Sequence, residues 1–71
     1  MIDLAQQIGH AIRSCRVEQK ISQEKLALLC NIDRSYLGRI ERGEVNITVL
    51  KLYEIAKILK ISPQDLLPKN K

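Results

Sequence analysis

Arg34, Ser35 and Arg39 stand close together in the run from Asp33 to Arg42 of a 71-residue chain. On a helix starting at Arg34, Leu37 and Ile40 share one face, while Arg34, Ser35, Gly38 and Arg39 occupy the opposite one. A guanidinium carries its donors in a planar fork that matches the O6 and N7 acceptors of guanine. Each such bidentate pair discriminates against the wrong base by about 1–3 kcal/mol. Two guanidinia on one face, with the adaptable Ser35 hydroxyl between them, compose a surface able to read base edges. Gly38 is unusual there, because glycine inside a helix costs about 1 kcal/mol relative to alanine. Either it lets a phosphate or base approach closely, or a small residue is merely tolerated.

Other chemistry is scarce. His10 is the only histidine, and the two cysteines, Cys15 and Cys30, are far apart in the chain. No Gly-rich loop could cradle phosphates, and nothing assembles a nucleophile, a metal site or an acid–base pair. The expectation is therefore no enzyme, no metal, no cofactor and no small-molecule ligand, with His10 a surface or boundary residue. Cys15 and Cys30 fall at apolar helix positions and read as reduced core residues. Met1-Ile2-Asp3-Leu4 carries no basic n-region, and no apolar run approaches the ~18 residues of a membrane span. A cytoplasmic protein with no membrane association is expected. The net charge of +4 suits a polyanionic partner. Tyr36 and Tyr53 are the only aromatic residues, a poor platform for stacking unpaired bases, so the polyanion expected is duplex DNA.

The elements that must position these residues are helical throughout, in one domain spanning 1–71. Ile8, Ile12 and Cys15 lie at i, i+4 and i+7 on a first helix from about Asp3 to Gln19. Ser22 is an N-cap for a second helix ending near Cys30; Lys25 at the third helical position excludes a full capping box. Asp33 caps a third helix running to about Arg42, which Gly43 terminates. Thr48 caps a fourth, from about Val49 to Lys60, with Val49, Leu52, Ile55, Ala56 and Leu59 towards the core. Ser62-Pro63 opens a short fifth helix, Gln64 to Leu67. The polar tail Pro68 to Lys71 follows. The expected architecture is an all-α domain of five helices.

Gln23 to Arg42, QEKLALLCNIDRSYLGRIER, carries the most information. Two helices packed steeply across a tight turn make specific demands. Leu26 and Cys30 provide the apolar ridge, and Ala27 the small residue at closest approach. Asn31 tolerates the left-handed conformation of the turn. Ile32 plugs the turn, while Leu37 and Ile40 return to the core. Together these positions spell a helix-turn-helix, whose second helix enters the major groove.

With those residues in view, the chain resembles the Cro/repressor-type (Xre-like) helix-turn-helix family. Ile8-Gly9, Ile12-Arg13, Arg16, Ser22-Gln23, Leu26-Ala27, Ile32, Tyr36-Leu37, Ile40-Glu41 and Gly43 look like family positions. So do Leu52, Ile55-Ala56, Leu59 and Ser62 to Leu67. Within the family, IDRSYLGRIERG followed by Asn46 is most similar to the controller proteins of restriction-modification systems. The resemblance implies a lambda-repressor-like DNA-binding domain that regulates transcription, with Arg34, Ser35 and Arg39 at its recognition positions. It places phosphate contacts at Gln23, Tyr36, Asn46 and Thr48. Relatives often carry Lys or Arg after the glycine, where this chain has Glu44-Val45. Electrostatic affinity is then lower on that side, and Arg13 or Arg42 compensates. Arg16 and Glu41 look like the family's partly buried ion pair, the alternative being two solvated charges. Lys51, Lys57 and Lys60 read as a solvated face.

The fourth and fifth helices, about 48–67, hold more apolar residues than one face can bury. Ile47, Leu50, Ile58, Leu66 and Leu67 remain after the core takes its share. Ile47, Leu50, Leu66 and Leu67 are then candidates for a two-fold homodimer contact, unless they complete the monomer core. Such a dimer reads a palindromic operator with half-sites about 10–10.5 bp apart. A protein-interaction module of the same fold, such as an antitoxin-like partner, is the alternative function. With no sensor domain beside the DNA-binding unit, regulation through concentration and dimerisation is expected.

Overall fold

The computed structural model describes residues 3–68. Among these residues four α-helices follow one another: α1 (Leu4–Glu18), α2 (Gln23–Leu29), α3 (Arg34–Glu41) and α4 (Val49–Leu59). The segment expected as a fifth helix is a single 3-10 turn, Pro63–Leu66. Its brevity has a local cause. The Asp65 carboxylate accepts from the Ser62 backbone N–H at 3.1 Å, and Ser62 Oγ accepts from the Gln64 N–H at 3.3 Å. That closes the turn at once, and Leu67 already has extended backbone (ψ 148°) ahead of Pro68. No strand occurs among the described residues.

Helix starts follow side-chain chemistry closely. Asp3 accepts from the Gln6 N–H at 2.8 Å while Gln6 Oε1 accepts from the Asp3 N–H at 3.2 Å, a reciprocal box that begins α1 at Leu4. Ser22 accepts from the Lys25 N–H at 3.0 Å and Thr48 from the Lys51 N–H at 3.1 Å. Asp33 departs from expectation. It has the extended backbone of an N-cap residue, yet its side chain makes no capping bond. Its carboxylate accepts the Ser35 hydroxyl instead.

One device ends all four helices. Lys20, Asn31, Gly43 and Lys60 take positive φ (60°, 57°, 74° and 61°). The residue after each donates its N–H back across the last turn, at 2.9–3.0 Å: Ile21 to Arg16, Ile32 to Ala27, Glu44 to Arg39 and Ile61 to Ala56. This is a Schellman closure, and three of the four following residues, Ile21, Ile32 and Ile61, pack against the core. Only Asn31 and Gly43 announce it in sequence. At Lys20 and Lys60 the left-handed conformation costs about 1–2 kcal/mol relative to the right-handed one, and packing of the next isoleucine offsets it.

Ile12, Leu26, Leu37, Ile40, Ile55, Leu59 and Leu66 are fully buried and join all the elements in one core. Val49 does not join them; it is 68 % exposed. Leu52, in the same first turn, is buried, so α4 enters the core through Leu52 and leaves Val49 outside it. Of the three glycines, Gly9 has the least room for a side chain. A Cβ there would lie 2.2 Å from the Ile40 carbonyl oxygen and 2.7 Å from that of Glu41, so α1 and α3 touch backbone to backbone.

The two free thiols differ in environment. Cys30 is buried and its thiol pKa is raised, chiefly by that burial. Cys15 is half-buried and accepts a hydrogen bond from the Gln19 amide at 3.4 Å. Thiol alkylation of the folded protein at pH 8 is expected to label Cys15 first. Cys30 should react only as fast as the chain unfolds, because the thiolate is the nucleophile. Equal rates measured by mass spectrometry would contradict this placement.

Candidate nucleic-acid interface

The second and third helices place the sequence-derived residues on two sides of one short element. Leu37 and Ile40 on α3 are buried, whereas Arg34, Ser35 and Arg39 are exposed. The helix therefore shows solvent two guanidinia and a hydroxyl. Asp33 adds a carboxylate at the mouth of this face, held against Ser35. An acceptor beside two forked donors widens the range of base edges that the face can address, because cytosine N4 and adenine N6 need acceptors.

Beneath this surface lies a buried ionic knot. Arg16 Nε donates to Glu41 Oε2 at 2.8 Å, and a second guanidinium nitrogen donates to Oε1 at 3.1 Å. Arg16 and Glu41 are 8 % and 7 % exposed. The third guanidinium nitrogen of Arg16, Nη1, donates to the Ile21 carbonyl at 2.9 Å, and Gln23 Nε2 donates to Glu41 Oε1 at 3.0 Å. Burying two charges costs several kcal/mol per ion unless every polar atom finds a partner. Among the described residues no buried side-chain nitrogen or oxygen lacks one. The knot ties α1, the end of α3 and the start of α2 together, so the angle between the two motif helices is held by charge as well as by packing.

Candidate phosphate-contact residues surround α3 unevenly. Gln23 is half-buried, its amide already turned onto Glu41. Tyr36 is half-buried against the core. Asn46 and Thr48 are exposed, and Thr48 Oγ1 serves as the acceptor of the α4 cap. Arg13 is exposed and lines a shallow groove with His10, Ser14, Val17 and Glu18, all of them on α1. Arg42 is not free: its Nε donates to Glu44 Oε2 at 2.7 Å. The hydrogen bond from Arg42 holds the Glu44 carboxyl below its ordinary pKa, with the guanidinium charge adding to the effect.

Gly38 is covered rather than open. A Cβ at this position would lie 3.2 Å from Arg42 Nη1 and 3.6–3.7 Å from the Gln23 amide atoms. Side chains from the start of α2 and the end of α3 thus converge over a residue with no side chain of its own. Neither this convergence nor the Gln23–Glu41 bond could be read from sequence, because each joins residues far apart in the chain. Gly38 itself, a helix-breaking residue inside a short helix, was the one available signal.

The residues offered for a dimer contact divide. Leu66 is 1 % exposed and belongs to the monomer core, because the 3-10 turn folds back onto α1 and α4. Ile47 and Ile58 are half-buried against the same core. Leu50 is 80 % exposed, and Leu67 is also exposed. Val49 and Tyr53, exposed beside Leu50 on α4, extend that apolar surface. Leu50, Tyr53, Glu54, Lys57, Ile61 and Pro63 line a groove along it. Lys51 is paired with Glu54 at 2.6 Å. Among the described residues, no helix is long and apolar enough to cross a membrane.

Known proteins share this architecture. Residues 12–66 match the helix-turn-helix family. The control protein C.BamHI of Bacillus amyloliquefaciens is 40% identical over 60 residues, covering 83% of this chain and 74% of that protein. The control protein C.SmaI of Serratia marcescens is 35% identical over 69 residues, covering 97% and 82%. Among solved structures, the restriction-modification controller protein C.AhdI from Aeromonas hydrophila superposes with a TM-score of 0.85. Its identity is 36%, over 89% of this chain and 96% of that one.

Proposed function

This chain belongs to the helix-turn-helix family of DNA-binding transcriptional regulators, and on that premise we propose that it acts as a homodimer on a palindromic operator. In this reading residues 1–71 form a single cytoplasmic DNA-binding domain, without enzymatic activity. The observation that carries it is the exposed trio Arg34, Ser35 and Arg39 on a helix whose far side is anchored by the buried Arg16–Glu41 pair. Such a helix keeps its guanidinia at a defined depth and angle in the major groove. The backbone is gripped by Gln23 and Tyr36 on one side and by Asn46 and Thr48 on the other. The likeness to control proteins supports a role in governing a restriction-modification system, with promoter occupancy set by protein concentration through dimerisation.

Selection from random duplex DNA at about 150 mM salt, where non-specific affinity is suppressed, tests this reading. The native chain is expected to enrich a palindrome. Arg34→Ala and Arg39→Ala should each blur recognition at their own base positions and cost about 1–3 kcal/mol of discrimination there. A palindrome that both variants enrich unchanged would place recognition on another surface.

A further inference from the structure

We propose that Asp33 fixes the Ser35 hydroxyl as an acceptor, so that the exposed face of α3 selects a base amino group beside the groups its guanidinia read. The proposal rests on the DNA-binding reading and deepens it, making Asp33 a positioning residue for sequence specificity. A hydroxyl holds one proton and two lone pairs, so a serine facing DNA can ordinarily address either a donor or an acceptor. Here the proton is already engaged. Ser35 Oγ donates to Asp33 Oδ2, and a carboxylate has no proton to give in return. The exposed Ser35 oxygen has only lone pairs left for a base.

The carboxylate is available because it does not cap the helix. Asp3, Ser22 and Thr48 each place a side-chain oxygen on a backbone N–H in the first turn of α1, α2 and α4. Asp33 has the same extended backbone, and its carbonyl accepts from the Leu37 N–H at 3.0 Å, yet its side chain makes no capping bond. Asp33, Arg34, Ser35 and Arg39 are all exposed, so the Asp33–Ser35 bond lies on the face offered to DNA. To donate to guanine O6 or thymine O4, Ser35 must exchange a charged acceptor for a neutral one. The charged bond is about twice as strong, and in a groove stripped of water the abandoned carboxylate would lack a partner. The carboxylate therefore keeps the proton. Cytosine N4 and adenine N6 are the major-groove donors that a serine oxygen can then accept from. Arg34 and Arg39 carry donors only, so this oxygen supplies the polarity that the guanidinia lack.

Selection from random duplex DNA with the full chain, native and Ser35→Ala, first locates the base pair that Ser35 reads, as the position the substitution blurs. Affinity is then measured on duplexes altered only at that pair. Removing the amino group, with purine for adenine or 2-pyrimidinone for cytosine, is expected to weaken native protein about three- to tenfold, the worth of one hydrogen bond. Ser35→Ala should lose nothing further. A second set exchanges amino group and oxygen across the pair, with hypoxanthine and 5-methylcytosine for adenine and thymine, or diaminopurine and uracil for guanine and cytosine. Native protein should disfavour the exchange by about tenfold. Asp33→Gly removes the carboxylate, keeps a residue suited to a helix start and frees the hydroxyl to rotate, so its preference should fall to about threefold or less. Each preference is a ratio within one protein, which cancels the general gain in affinity from deleting a negative charge. Asp33→Gly as selective as native protein would overturn the proposal, as would native protein indifferent to the missing amino group. Selectivity that survives Ser35→Ala, or a selected sequence that this variant leaves unblurred, would overturn it too, since Ser35 would not then be the reader. A native chain that enriches no duplex would instead remove the DNA-binding reading itself, and this inference with it.

Discussion

Replacing Gly9 by alanine is expected to destabilise the protein by at least about 3 kcal/mol and to abolish operator binding in parallel. Local preference points the other way, since alanine inside a helix is favoured over glycine by about 1 kcal/mol. Tertiary geometry decides the sign. The new methyl carbon would sit 2.2 Å from the Ile40 carbonyl oxygen and within 3 Å of two Glu41 backbone atoms. Backbone cannot rotate away as a side-chain tip can, so α1 and α3 must separate. Separation thins the shared core of Ile8, Ile12, Leu37 and Ile40. It also stretches the Arg16–Glu41 pair, which spans the same two helices, and a loosened buried pair is itself costly. A domain this small has only about 3–10 kcal/mol in hand, so most of its stability is at stake. Urea unfolding with a duplex titration checks the result. Gly38→Ala is the matched control, because its methyl meets only the ends of the Arg42 and Gln23 side chains. Its stability should stay within about 1 kcal/mol of native. Similar behaviour of the two variants would show that α1 and α3 are not in backbone contact.

Leu50→Asp is expected to leave the fold intact while removing the proposed dimer, and with it at least about a hundredfold of affinity for the proposed palindromic operator. At 80 % exposure the leucine contributes almost nothing to the monomer core, so thermal stability measured on dilute protein should barely move. The same exposure is what makes the residue valuable in an assembly. Val49, Leu50 and Tyr53 form an uncovered apolar surface at the start of α4, and a carboxylate there must be desolvated for two copies to meet. Two linked recognition helices gain about 10²–10⁴ in affinity from effective concentration alone, and separate monomers forfeit it. Sedimentation velocity would show a monomer, and titration on a full palindrome against a half-site would show the lost avidity. A variant that remains dimeric and binds normally would move the interface to another surface.

Both outcomes depend on features that differ in how far sequence alone exposes them. The motif from Ser22 to Gly43 is legible because its demands are local: an N-cap serine, a small residue at the crossing and a residue tolerant of positive φ in the turn. Apolar positions at helical spacing complete it. The exposed Arg34 and Arg39 follow from the same periodicity, since Leu37 and Ile40 must face inward. Charge, the scarcity of aromatics and the lack of catalytic clusters direct the reading to duplex DNA for equally local reasons. The fourth and fifth segments were less legible. Val49 and Leu66 have equally apolar side chains, yet one is exposed and the other is in the core. Periodicity ranks the faces of a helix but does not say how far along it a neighbour extends.

The sequence by itself thus determined the helical class, the motif and which face of α3 is exposed, because each rests on interactions within a turn or two of chain. Only the tertiary structure decided that Gly9 is a backbone contact, that Glu41 holds Gln23 as well as Arg16, and that Arg42 is already taken by Glu44. It also decided which leucines remain for a partner. Most of these depend on approach between segments distant in the chain, where a shift of an ångström separates a contact from a gap. Even Arg42 and Glu44, two residues apart, meet through side-chain geometry around a positive-φ glycine that residue type alone does not specify.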